Sequence, residues 1–423
     1  MMERREYKNL GEALYAGKLE NGLQVYVIPK PDYEKKYAFF ATSYGGADRR
    51  FRQGEQWQDT PAGIAHFLEH KLFDTEDGNA LADLAANGAQ PNAFTSAEMT
   101  AYYFECTEGF EENLKTLLRF VSVPYFTEDS VAKEQGIIAQ EIDMIEDSPT
   151  HVIYYNLLKS LYAAHPVRDS VAGTVQSIGE ITAQTLYDLH SAFYKPSNMV
   201  LCAVGDMDPE QVLEAARTIL PQQFHAPPEK DYGPEDKTSV QSPRVEVEMA
   251  VSQPLFMLGT RVKAGASGRA YVKEELTGNL AMSYLAGKSS PLYVRLYDEG
   301  LITSDFECGY QSESGYAITI FSGEGHDPNQ VFEAIKTEIQ KILTHGIDEV
   351  RLTRLKKAAT GELIRALDSV EDLCYEQTKS HFRGASALDR MEVMAEVRTQ
   401  DVFAFIKENL TPEKFAISIV NPQ

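Results

Sequence analysis

The chain has 423 residues, 43% apolar and 24% charged, a make-up suited to two globular domains of about 200 residues each. Sixty-three acidic residues against 40 basic ones leave a net charge of −23, which repels phosphate backbones and argues against nucleic acid as a partner. No run approaches the roughly eighteen apolar residues that a membrane span needs.

At the N-terminus, residues 1–8 have no apolar core behind their charges and do not read as a secretory signal. The four cysteines, Cys106, Cys202, Cys308 and Cys374, stand far apart without C-x-x-C spacing. They read as reduced thiols, so a cytoplasmic location is expected. Tyr37-Ala-Phe-Phe-Ala-Thr-Ser-Tyr44 is an apolar strand. The segment Thr60–Phe73 then carries His66-Phe67-Leu68-Glu69-His70. On a helix, His66 and His70 lie one turn apart on one face, the spacing that lets two imidazoles hold one metal ion. Glu69 projects beside them, where a carboxylate can take a proton from water. This H-x-x-E-H order inverts H-E-x-x-H and is the inverzincin signature. The blander alternative is an amphipathic helix with two satisfied histidines and a solvated glutamate.

A catalytic zinc usually holds three protein ligands, so a further donor is required. In Ser130–Met144 and just beyond, Val131, Ile137, Ile138, Ile142 and Ile145 recur at helical intervals. Glu134 and Glu141, seven residues apart, share one face of that helix. One could bind the metal while the other supports a ligand, although such a pair alone is ordinarily a solvated surface. His151, His165 and His190 follow the motif in sequence and read as structural.

Residues 222–243 are polar and rich in Pro, Gly and charge, with no helical or strand period; they form the expected linker between domains at 1–221 and 244–423. Two echoes suggest duplication. Pro254–Arg261 opens the second half as Tyr37–Tyr44 opens the first, and Asn409–Asn421 echoes Phe193–Gly205, each an apolar strand after a Pro-containing turn. Two copies that begin and end on a strand, with helices between, predict α+β domains built on largely antiparallel sheets. In the second copy Leu276–Ala286 has neither His nor Glu and reads as a packing helix.

On these motifs the chain resembles the M16 family of zinc metallopeptidases, the pitrilysin, insulinase and mitochondrial processing peptidase group, in its short bacterial form. Supporting segments, in the family's order, are Gly88-Ala-Gln-Pro-Asn-Ala-Phe-Thr95 with Thr100-Ala-Tyr-Tyr103, His165-Pro166, Val171-Ala-Gly-Thr174, Phe193–Leu201 and Val204-Gly-Asp206. The resemblance implies one zinc held by His66, His70 and Glu141, with Glu69 as general base and Glu134 as a supporting carboxylate. It also implies that Asn92, Ala93, Phe94 and Thr95 form a strand that pairs with a peptide substrate. In self-sufficient relatives an Arg and a Tyr from the second half reach the substrate. The aligned positions here are Tyr297 and Thr303, with Arg295 and Tyr293 one turn away. The expectation is therefore the zinc-bearing subunit of a heterodimer, whose zinc-less partner supplies the Arg/Tyr pair, a homodimer being the other possibility. The alternative function is a non-catalytic scaffold or peptide-binding subunit.

Overall fold

The computed structural model describes residues 1–234, 240–313 and 315–423. They divide into two compact units, each built around one large sheet. The first comprises Met1–Ile142, Ser170–Tyr232 and Ile364–Phe382; the second comprises Asp143–Asp169, Gly233–Leu363 and Arg383–Gln423.

In the first unit a seven-stranded sheet runs in the spatial order Glu3–Tyr7, Glu12–Lys18, Gln24–Pro29, Met199–Gly205, Lys36–Thr42, Thr100–Cys106 and Gln90–Thr95. All neighbours are antiparallel except Gln24–Pro29 and Met199–Gly205. Met199–Gly205 is buried along its whole length, as a central strand covered on both faces should be. Side chains alternate across the sheet. Tyr102 meets Phe73 and Phe120 on one face, whereas Tyr103 stacks on Tyr37 and Phe39 on the other. The second face is covered by helix Val370–Phe382, whose Cys374 thiol reaches the Cys202 carbonyl.

The Phe193–Met199 motif knits this sheet together. Asn198 Nδ2 donates to Phe193 O at 2.9 Å and to Thr42 Oγ1 at 3.2 Å, and Thr42 Oγ1 donates to Phe193 O at 2.7 Å. His165 accepts the Val167 N–H at 3.1 Å and caps a short turn in the second unit. His190 donates through Nε2 to the buried Val121 carbonyl at 2.8 Å.

In the second unit a five-stranded sheet runs Arg244–Met249, Phe415–Pro422, Leu255–Val262, Tyr316–Glu324 and Glu307–Glu313, with only the first pair parallel. Helix Gly268–Ala286 packs on it with Tyr271, Val272, Leu276, Leu280 and Leu285 buried.

The observed units are not two sequence-contiguous blocks. Residues 143–169 pack with the second sheet and 364–382 with the first. Within the expected linker, Glu229–Lys230 pairs with Arg50–Gln53, and Lys230 and Tyr232 clasp the buried Asp48 carboxylate, each at 2.9 Å. A two-residue strand is too short to carry a period. Residues 235–239 of the linker lie outside the described residues. Among the described residues no helix is long and apolar enough to cross a membrane.

Candidate metal centre

The H-x-x-E-H segment forms a nine-residue helix, Ile64–Leu72, anchored by buried Ile64, Phe67, Leu68 and Leu72. Its N-terminus is fixed by a close backbone approach. Gly63 precedes the helix at φ 89°, and a Cβ there would lie 2.5 Å from the Ala172 carbonyl oxygen. Gly173, at φ 76°, faces it, and its own Cβ would lie 2.5 Å from Ala62 O. Both need glycine, for conformation and for space. Ser177 Oγ donates to Ala62 O at 2.8 Å beside them. The Val171-Ala-Gly-Thr174 segment therefore seats the metal helix.

Helix Glu128–Glu146 brings Glu134 and Glu141 alongside. Glu141 offers Oε1 at 3.5 Å from His66 Nε2 and Oε2 at 3.6 Å from His70 Nε2. A tetrahedral ion with bonds near 2.1 Å holds its ligand atoms about 3.4 Å apart, so the spacing and the donor types both suit zinc. These three residues are the one group of three or more His, Cys, Asp or Glu donors, among the described residues, whose ligand atoms lie within 4.8 Å of one another. Glu134 stands behind them. Its Oε1 lies 3.2 Å from His70 Nδ1, and because a carboxylate only accepts, Nδ1 carries the proton and Nε2 presents its lone pair.

Glu69 lies against the edge strand, accepting a hydrogen bond from Thr95 Oγ1 at 2.8 Å. Thr95 is the last residue of Gln90–Thr95, whose outer edge pairs with no strand among the described residues. Along this strand Ala93 shares the pleat of Thr95, while Phe94 turns to the other face against Phe39, Tyr103 and Tyr375. Asn92 is exposed and accepts the Ala93 N–H at 2.9 Å. Thr95 itself holds the candidate base.

Electrostatics separate the roles. Burial, reinforced by His70, pushes the His66 pKa down to about 4, keeping the imidazole neutral for coordination. Burial raises the Glu69 carboxyl despite the opposing Thr95 hydrogen bond and His70. Burial pushes His70 down, but the Glu134 hydrogen bond and the Glu69 and Glu141 charges outweigh it and leave its pKa raised. Glu134 is lowered, chiefly by its hydrogen bond to His70. One group escaped the sequence reading. Lys71 is almost wholly buried between Asp74 and Glu134. A charged residue inside the apolar face of Ile64–Leu72 was the signal available.

In the second unit, Tyr293 is buried and stacks on the exposed Tyr297, ring centroids 6.1 Å apart. Both lie on helix Pro291–Asp298, with the half-buried Arg295 between them.

Residues 56–175 match the family model described as Insulinase (Peptidase family M16), and residues 180–359 match the one described as Peptidase M16 inactive domain. YmfH of Bacillus subtilis, named an uncharacterized zinc protease, is 37% identical over 431 residues, covering 100% of both chains. A solved M16-like peptidase from Alicyclobacillus acidocaldarius is 33% identical with a TM-score of 0.93, covering 100% of this chain and 99% of that one. A protease from Helicobacter pylori shares the fold, with 20% identity and a TM-score of 0.81 over 97% of this chain and 99% of that one.

Proposed function

The chain belongs to the M16 family of peptidases, and on that premise we propose that it is a zinc-dependent endopeptidase acting on unstructured peptides or leader segments. The observation that carries this reading is the convergence of His66 Nε2, His70 Nε2 and Glu141 on one point, with the Glu69 carboxylate held beside it by Thr95. A scaffold has no need of such a set.

Zinc, when bound, supplies Lewis acidity that acidifies water and polarises a carbonyl. Glu69 accepts the proton released by the attacking water and delivers it to the leaving amine. Burial raises its pKa, which suits a group that must give the proton back. Thr95 fixes the direction of the Glu69 carboxylate, and Glu134 fixes the tautomer of His70. The Asn92–Thr95 edge takes the substrate as an added strand, so main-chain hydrogen bonds supply affinity with little demand on sequence. Folded proteins, whose backbone is already paired, are poor substrates.

We further propose that a zinc-less M16-like partner completes the site with an Arg/Tyr pair. This is supported by the absence of that pair from the aligned positions Tyr297 and Thr303 and by the commitment of Tyr293 to the core. The proposed setting is the cytoplasm. Cleavage of a mixture of unstructured peptides by the purified chain, alone and with such a partner, tests the reading. Chelator-sensitive cleavage that the partner raises is expected. Bound zinc without cleavage under either condition would favour the scaffold or peptide-capture alternative, and cleavage alone that no partner raises would overturn the heterodimer.

A further inference from the structure

Lys71 is 2% exposed, on a helix face otherwise made of Phe67, Leu68 and Leu72. An ammonium in such a place loses its hydration and is unfavourable unless charged partners compensate it. Two carboxylates do so. Lys71 forms an ion pair with Asp74, and its Nζ lies 3.6 Å from Glu134 Oε2. Asp74 needs no buried cation of its own, because its side chain is 38% exposed to water. Glu134 has little such recourse, with 15% of its side chain exposed, and its other oxygen accepts the His70 Nδ1 proton at 3.2 Å. The chain of contacts therefore runs from Asp74 through Lys71 and Glu134 to His70, and ends at the His70 nitrogen that faces Glu141.

We infer that Lys71 is a positioning residue for the metal centre: pinned by Asp74, it grips one oxygen of Glu134 so that the other stays aligned on His70 Nδ1 and Nε2 stays aimed at the ion. The inference rests on the zinc reading above. Without the ammonium, Glu134 is free to rotate towards water, and the imidazole loses its fixed direction. An arginine can keep the grip, whereas an apolar or neutral side chain cannot.

The test is zinc affinity by chelator competition, combined with thermal melting of the zinc-free chain. Lys71→Met should weaken zinc binding by about tenfold to a hundredfold, the usual cost of losing support behind a ligand, and Lys71→Arg should recover most of it. In a Glu134→Gln background, the same Lys71→Met change should alter affinity by less than about twofold, because the group it acts through is gone. If Lys71→Met does not fold, Lys71→Gln, which keeps a donor without the charge, takes its place. Unchanged affinity in the single variant, or an equal loss in the Glu134→Gln background, would overturn the inference and leave the peptidase reading intact. Failure of the unaltered chain to bind zinc would overturn both.

Discussion

In the first unit, Gln24–Pro29, Met199–Gly205, Lys36–Thr42, Thr100–Cys106 and Gln90–Thr95 lie side by side in that order. In the second, Arg244–Met249, Phe415–Pro422, Leu255–Val262, Tyr316–Glu324 and Glu307–Glu313 repeat the order, with the parallel pair in the same place. The two copies part company after their corresponding central strands, Lys36–Thr42 in one and Leu255–Val262 in the other. The first continues to a nine-residue helix pinned by Gly63 and Gly173, with His66 and His70 on its partly buried side towards Glu141. The second continues to a nineteen-residue helix sunk in the core, where Gly278 lets Tyr310 lie so close that a Cβ would come within 2.3 Å of its ring. Its Glu275 is spent on an ion pair with Arg390 at 2.7 Å. Shared wiring thus fixes a sheet and its edge. Among the described residues the clustered candidate metal donors occur only in the first unit, where His66 and His70 stand beside Glu141.

The sharpest way to break this comparison is Glu69→Gln. It should leave zinc content unchanged and lower kcat by about 10²–10⁴-fold, the usual worth of a positioned acid–base group; peptide hydrolysis with metal analysis checks it. Next come the two glycine contacts. Gly63→Ala forces a side chain into a positive φ and against a carbonyl. It should cost about 1–3 kcal/mol of stability and weaken zinc binding as well. Gly278→Ala should lower the melting temperature without altering zinc affinity. If the two behaved alike, the helices would not differ in role.

A smaller effect is expected from Thr95→Val. The Thr95 hydrogen bond lowers the Glu69 pKa against the rise caused by burial, so its loss lifts that pKa further. Since the ionised form is the base, the acid limb of kcat/KM should move to higher pH, with a rate loss on the order of tenfold, the worth of about one hydrogen bond. A fixed acid limb would contradict the assignment of Thr95.

The broadest effect concerns acid stability without metal. Burial pushes His66, His190 and His381 down to about 4, and all three lie in the first unit. For such groups the unfolded state binds more protons, so their contribution is present above the unfolded histidine value of about 6.5 and is lost as pH falls towards 4. Hydrogen exchange on the zinc-free chain should therefore speed up in the first sheet as pH drops through that window, after correction for the intrinsic exchange rate.

Much of this was legible in the residues. The His66–Glu69–His70 spacing and the seven-residue interval from Glu134 to Glu141 put each set on one helix face; the choice of Glu141 as the ligand came from the family resemblance. The strand echoes at Tyr37 and Pro254, and at Phe193 and Asn409, gave the duplicated α+β plan. What could not be read depended on contacts distant in sequence. The exchange of residues 143–169 and 364–382 between the units leaves no local period. The pairing of Glu229–Lys230 with Arg50–Gln53 is likewise a tertiary event. Thr95 was placed on the substrate strand, but its bond to Glu69 depends on how that strand meets the helix. Lys71 interrupts the apolar face of Ile64–Leu72, but its burial and its approach to Glu134 are tertiary events.

The central claim is that the first unit holds a working zinc peptidase site. Its most direct test is hydrolysis of one unstructured peptide by the unaltered chain and by Glu69→Gln, each loaded with one zinc and each supplied with a zinc-less partner. The account predicts cleavage by the first and almost none by the second at equal zinc content. Equal cleavage by both, or none by the fully loaded unaltered chain, would contradict it.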